Sequence, residues 1–250
     1  MKNGIIVQAR MGSTRLPGKI LRPFFKEKVL LDILLDNLHK VSNTKVIVAT
    51  SDNSNDDALV SYLEKRGELY FRGSENDVLS RFISAAEEFD VDGIVRICSD
   101  NPFLDYHGVS KLLEKSEMTD ADYIGYMINN MPSIKTHFGF WGEYVKLSAL
   151  KKAYKETEVG SNAHEHVTIH IYNHPNEFKC DWIQCPDYLQ NRTDIRLTID
   201  TQEDMQNAQK VYACLREENE NFTLKNVIDY LDKHKEITAI MKKNIINNIK

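Results

Sequence analysis

Three apolar runs rich in β-branched residues, at 4–8, 45–50 and 93–98, alternate with stretches whose apolar residues recur at helical spacing. Runs of this kind are strands covered on both faces, and a chain that alternates them with helices builds a mostly parallel sheet with crossover helices. The expectation is therefore an α/β fold. The spacing predicts strands at 4–8, 45–50, 68–71 and 93–98, and helices at 29–40, 56–66 and 78–89, the first with Leu30, Leu31, Leu34, Leu35 and Leu38 on one face. A polar cluster follows each strand, at 10–19, 51–57, 72–77 and 99–101. In an open parallel sheet ligands bind outside the carboxyl ends of the strands, so the four clusters are expected to surround one crevice.

The first cluster, Arg10-Met11-Gly12-Ser13-Thr14-Arg15-Leu16-Pro17-Gly18-Lys19, contains three cations, two glycines, a serine and a threonine. Glycine admits close backbone approach, concave runs of peptide N–H groups bind anions, and Arg and Lys supply charge, so this loop suits a polyphosphate. The competing reading is a surface turn that is merely basic. The rest of the chain does not share its charge: the 250 residues carry a net charge of −5, which argues against nucleic acid or an anionic membrane as partner. No apolar run reaches the length of a membrane span, and Met1-Lys2-Asn3-Gly4 leads directly into a strand, so a cytoplasmic location is expected. Cys98, Cys180, Cys185 and Cys214 lack the paired spacing of a zinc site and read as reduced structural thiols.

Beyond Met118 the alternation weakens. Strands are expected at 122–126, 178–183 and 195–199, and helices at 147–157, 162–172 and from Asp200 to 216. The aromatic, glycine-punctuated stretch at 136–145 reads as a strand or hairpin forming a pocket wall. Two short helices follow Thr223, with 244–250 frayed. No repeat or linker divides the chain, so one domain is drawn over 1–222, with 130–185 as an acceptor and dimerisation subregion and 223–250 as a helical tail.

Asp100 and Asp200 each end a strand-like run. A nucleoside triphosphate arrives with Mg²⁺, which takes one or two carboxylates and completes its shell from phosphates and water. Asp100, ahead of Asn101-Pro102, is aimed across the sheet edge. Asp200 has a rival reading as a helix N-cap, with Glu203 behind it.

As an ordered set, the segments 9–19, 48–51, 71–78, 96–102, 165–168 and 196–201 resemble the cytidylyltransferases of the SpsF type, relatives of the synthetases of CMP-activated sialic acid and 3-deoxy-octulosonate. The resemblance implies a Rossmann-like, GT-A-like nucleotidyltransferase of three layers. It implies transfer of CMP from CTP to a phosphorylated or sugar-acid precursor of a surface polysaccharide such as a capsule, with Mg²⁺ as cofactor and pyrophosphate as product. Arg10, Gly12, Ser13, Arg15 and Lys19 match the triphosphate loop, and Ala9 the strand end facing base and ribose. Arg72, Ser74 and Asp77 match the segment that approaches cytosine, and Asp100 and Asp200 the metal-binding pair. Arg10 and Lys19 are then expected to stabilise the departing pyrophosphate. Trp141, Glu143 and His166 are candidates for the acceptor side, where the acidic stretch usual in the family is reduced to Glu143. A homodimer is expected, through the aromatic segment 138–141 or the apolar tail at 237–246.

Two patterns compete for attention. His166, His170 and His174 stand four apart, a spacing open to zinc but without such a role in the family. Asp120-Ala121-Asp122 mimics the Asp-x-Asp of glycosyltransferases, yet precedes a strand rather than following one. The alternatives to a cytidylyltransferase are thus a nucleotide-sugar-dependent glycosyltransferase and a non-catalytic nucleotide-binding protein, with the nucleobase and the acceptor left open.

Overall fold

The computed structural model describes residues 1–247. Strand β1 (Asn3–Gln8) runs into the basic loop and a 3-10 turn at Lys19–Leu21, then a hairpin of β2 (Pro23–Phe25) and β3 (Lys28–Val29). Helix α1 (Leu30–Leu38) follows, then β4 (Lys45–Ser51), α2 (Asp57–Arg66), β5 (Leu69–Gly73), α3 (Val78–Glu88), β6 (Gly93–Cys98) and α4 (Tyr106–Met118). The second half contributes β7 (Tyr123–Ile128), β8 (Met131–Pro132), β9 (Glu143–Lys146), α5 (Leu147–Glu156), α6 (Asn162–Glu165), α7 (Ile169–Asn173) and β10 (Cys180–Gln184). Helices α8 (Gln202–Glu218), α9 (Leu224–Lys233) and α10 (Lys235–Asn247) end the described chain.

The main sheet has the order β10-β7-β9-β6-β1-β4-β5, with β8 added beside β7. Its pairs are parallel except those of β9, which lies antiparallel between β6 and β7, and of β8. Alternate residues of each apolar run enter opposite layers, as a pleated strand requires: Ile5, Val7, Val46 and Val48 pack with α1, α4 and α8, whereas Ile6, Ile47 and Ile94 pack with α3 and α5. This is the expected three-layer α/β architecture. No helix among the described residues is long and apolar enough to cross a membrane.

Several expectations need correction. The 136–145 stretch does more than wall a pocket: 136–142 is irregular and helps line a cavity beside Asp100, but the last part forms β9 in the middle of the sheet. The charged Glu143 disguised it, because its carboxylate is neutralised inside the sheet by Arg96 of β6. The helix expected at 162–172 breaks into α6 and α7 around His166. Residues 195–199 form no sheet strand; the Leu197 and Ile199 N–H groups donate instead to the loop carbonyls of His137 and Asp100. The tail is not frayed at Asn244, which is buried in α10 with its Nδ2 3.3 Å from Asp204 Oδ1, and 248–250 lie outside the described residues. Of the two segments expected as dimer faces, Phe138, Phe140, Trp141, Ile237 and Met241 are buried in the chain's own core, while Ile246 near the end of α10 is exposed.

Candidate active site

The sheet order sets the location. From β1 the chain steps outward to β4 and β5, then returns to place β6 on the other side of β1. Such a reversal opens a crevice at the carboxyl ends of β1 and β6. The basic loop and Ser99–Asn101 flank it, and the clusters after β4 and β5 extend the same edge. Asp120 and Asp122 precede β7, which runs parallel to β6, and so lie at the opposite edge. There Asp120 pairs with Lys146 and Lys179, and Asp122 accepts from the Lys179 N–H.

Met11 is the hub of the basic loop. Its carbonyl accepts the N–H groups of Ser13 and Gly18, both at 2.9 Å, and Gly18 adopts φ of 66°, a conformation that favours glycine. The Met11 N–H donates to Asp56 Oδ1 at 2.6 Å. Asp56 Oδ2 also accepts from Thr50 Oγ1 (2.9 Å), Ser51 N (3.0 Å) and Ser51 Oγ (2.5 Å) at the end of β4. Burial alone would raise this carboxyl's pKa, but the Ser51, Met11 and Thr50 donors hold it below the usual value. Asp56 therefore fastens the loop to the sheet, a role hidden within a run that read as helix-capping. Ala9 is buried at the strand end, while Arg10, Gly12 and Arg15 are exposed.

Lys19, Asp100 and Asp200 come together. Lys19 Nζ lies 3.0 Å from Asp100 Oδ2 and 3.6 Å from Asp200 Oδ1, and donates to the Ile199 carbonyl at 2.5 Å. Burial disfavours its charge, but the two carboxylates outweigh burial and hold the ammonium above its ordinary pKa. Arg15 reaches Asp200 at 3.3 Å. The N-cap of α8 is Thr201, in a capping box with Asp204, so Asp200 is left outside the cap. Arg196 fixes that arrangement: its guanidinium grips Asp204 at 2.8 and 2.9 Å and donates to Asp200 Oδ2 at 2.9 Å. Asp204 Oδ2 in turn accepts the Asp200 and Thr201 N–H groups. Sequence reasoning placed Arg196 in a motif without a role.

On the β5 side, every Arg72 nitrogen is committed to protein. Nε and Nη2 donate to the carbonyls of Ser51 and Asn53, both at 3.0 Å, and Nη1 pairs with Asp57 at 2.8 Å. Ser74 Oγ accepts the Asp77 N–H, and Asp77 caps α3 by accepting the Ser80 N–H at 2.9 Å. Asp77 Oδ1 also meets Nδ1 of His164, a fully buried histidine, at 2.9 Å. The histidine that turns inward is thus His164, whereas His166 is exposed. His170 pairs with Glu156, and no group of three metal-ligating side chains occurs among the described residues.

The acceptor-side candidates separate. Glu143 is 1% exposed and receives Arg96 (2.7 Å), Tyr123 (2.6 Å) and Thr168 (3.0 Å), which makes it a structural charge inside the sheet. Trp141 stacks on Tyr126 with centroids 4.6 Å apart, filling a seam against α4. Its edge still helps line a cavity of about 30 Å³ beside Asp100, shared with Asn101, Thr136, Gly139 and Thr198. Gly139 has φ of 68°, and a Cβ there would lie 2.8 Å from Asn101 Oδ1.

Residues 4–242 match the sequence profile described as Cytidylyltransferase. The chain is 36% identical over 248 residues to a protein of Methanocaldococcus jannaschii, covering 98% of this chain and 94% of that one. It is 35% identical over 212 residues to the spore coat polysaccharide biosynthesis protein SpsF of Bacillus subtilis, covering 83% and 85%. Among solved structures, a cytidylyltransferase from Leptospira borgpetersenii serovar Hardjo-bovis superposes with a TM-score of 0.82 at 28% identity, covering 95% of this chain and 97% of that one.

Proposed function

Because the chain belongs to the cytidylyltransferase family, we propose that it transfers CMP from CTP to a phosphorylated or sugar-acid precursor of a surface polysaccharide. The reading includes magnesium as the metal and the cytoplasm as the compartment. The observation that carries it is the convergence of Asp100, Asp200 and Lys19 beneath a basic loop at the sheet's reversal point.

Two half-buried carboxylates aimed at one cation are a hard-oxygen pair, and they fit an ion that draws its remaining ligands from phosphates and water. Asp100 and Asp200 would hold Mg²⁺, whose chemistry is to polarise the α-phosphate and favour ionisation of an acceptor oxygen. The chain's own residues supply the rest. Arg10 and Arg15, exposed on the loop, neutralise the triphosphate. Lys19, kept protonated by its two acids, offers charge to the pyrophosphate that leaves as the acceptor oxygen bonds to the α-phosphorus. Arg196 and Asp204 keep Asp200 oriented from below. Catalysis is then chiefly positioning and charge neutralisation.

A thermal-shift screen of CTP, UTP, ATP and GTP with Mg²⁺ tests the reading without an acceptor. CTP is expected to raise Tm most, since a ligand that binds the folded state stabilises it by mass action. Equal shifts for all four, or none for CTP, would count against it.

A further inference from the structure

A guanidinium carries its N–H donors in one rigid plane, so where any one of them points is set by the partners of the others. Arg196 is fully buried, and every one of its guanidinium nitrogens is engaged. Nε and Nη2 grip Asp204, and Nη2 also reaches Asp200 Oδ2 at 2.9 Å. Nη1 lies 2.6 Å from Nδ1 of His137, a side chain nine-tenths buried. Arginine has donors and no acceptor, so Nη1 donates and the imidazole nitrogen accepts. His137 thus fixes the edge of the guanidinium that Asp204 leaves open.

The ring is itself held in place by its own loop. Next to it, Thr136 Oγ1 donates to the Ser133 carbonyl at 2.6 Å and accepts the Phe138 N–H at 3.4 Å. The His137 carbonyl accepts the N–H groups of Leu197 and Thr198, at 2.9 and 3.3 Å. The loop is therefore fastened along the run that carries Arg196 and ends at Asp200. Its residues Thr136, Phe138 and Gly139 also line the cavity beside Asp100. One short loop accordingly borders one acid of the pair and, through Arg196, steadies the other.

We propose that His137 is a positioning residue for the metal pair: by accepting from Arg196 Nη1 it sets the rotation of the guanidinium whose Nη2 holds Asp200. A carboxylate that binds a cation has to present its oxygens in one orientation, and the groups behind it supply that orientation. Without an acceptor at 137, Nη1 becomes a buried donor with one partner fewer, and the guanidinium turns to recover it. Asp200 then loses its fixed aim, although its charge is unchanged. This inference rests on the metal-dependent reading of Asp200 above.

The test is isothermal titration with CTP, in EDTA and over a series of Mg²⁺ concentrations, of wild type, His137→Phe and His137→Asn. The first variant keeps a ring and removes the acceptor; the second removes the ring and keeps an acceptor oxygen. Wild type should bind CTP more tightly as Mg²⁺ is added. In His137→Phe the Mg²⁺ concentration giving half of that gain should rise about tenfold, while CTP affinity in EDTA changes less than about twofold. His137→Asn should stay within about threefold of wild type on both measures. If the Phe variant does not fold, His137→Leu takes its place. An unchanged Mg²⁺ midpoint in the acceptor-less variant would overturn the proposal, as would an equal shift in His137→Asn. A matching loss of CTP affinity in EDTA, or failure of both acceptor-less variants to fold, would make His137 a structural residue and overturn it as well. A wild type whose CTP affinity ignores Mg²⁺ would instead overturn the metal-dependent reading, and the inference with it.

Discussion

Replacing Asp56 should damage both the fold and the phosphate loop. Its carboxylate accepts four hydrogen bonds, from Met11 N, Thr50 Oγ1, Ser51 N and Ser51 Oγ, in a site that is 1% exposed. Hydrogen bonds to a charged group contribute roughly 1.5–3 kcal/mol each, but these four share one acceptor group and do not add. In Asp56→Ala the two hydroxyls can turn to other partners. The Met11 and Ser51 N–H groups cannot, and each stranded donor costs about 1–3 kcal/mol. A loss of about 3–5 kcal/mol is therefore expected for Asp56→Ala, and less for Asp56→Asn, which keeps one acceptor oxygen. Urea denaturation followed by circular dichroism would read this as a lower midpoint at unchanged slope. Where the variant remains folded, its CTP affinity should also fall, because the Met11 N–H is the loop's tie to β4. A stability loss under about 1 kcal/mol for Asp56→Ala would contradict this role for the carboxylate.

Two other outcomes follow from the same geometry. Asp122→Ala should leave nucleotide turnover nearly unchanged, since Asp122 sits at the sheet edge away from the crevice; a severe loss would revive the glycosyltransferase alternative. Stability should also fall with acidification through Asp204. Burial opposes its ionisation, but Arg196 and the Asp200 N–H outweigh burial and hold its folded pKa below the ordinary value of 3.8. A depressed carboxylate contributes stability that is complete above the unfolded value and is lost as pH drops through the folded one. The urea midpoint should accordingly decline below about pH 4, and Asp204→Asn should flatten that part of the profile.

The parallel sheet was legible because its strands are continuous β-branched runs, and the crevice because each run ends in a polar cluster. Lys19 is legible in the basic loop and Asp100 beyond the end of β6, whereas Asp200 ends an apolar run that is no strand in the structure. What the sequence could not display was partnership over distance. Met11 and Asp56 are 45 residues apart, and Lys19 and the Ile199 carbonyl 180 apart, so no local pattern links them. Glu143 misled for the same reason: a charge in an aromatic stretch reads as pocket lining until its arginine is found on the neighbouring strand. His166 drew attention by helical spacing, yet the turn between α6 and α7 sends His164 inward to Asp77 instead.

Asp100 and Asp200 are the proposed metal-binding pair for CMP transfer. The decisive measurement is pyrophosphate release from CTP and Mg²⁺ by Asp100→Ala, on whichever sugar phosphate or sugar acid the wild type turns over. CTP titration of the same variant checks that the crevice remains intact. Turnover should fall about a hundredfold or more. Near-normal pyrophosphate release by Asp100→Ala would contradict it.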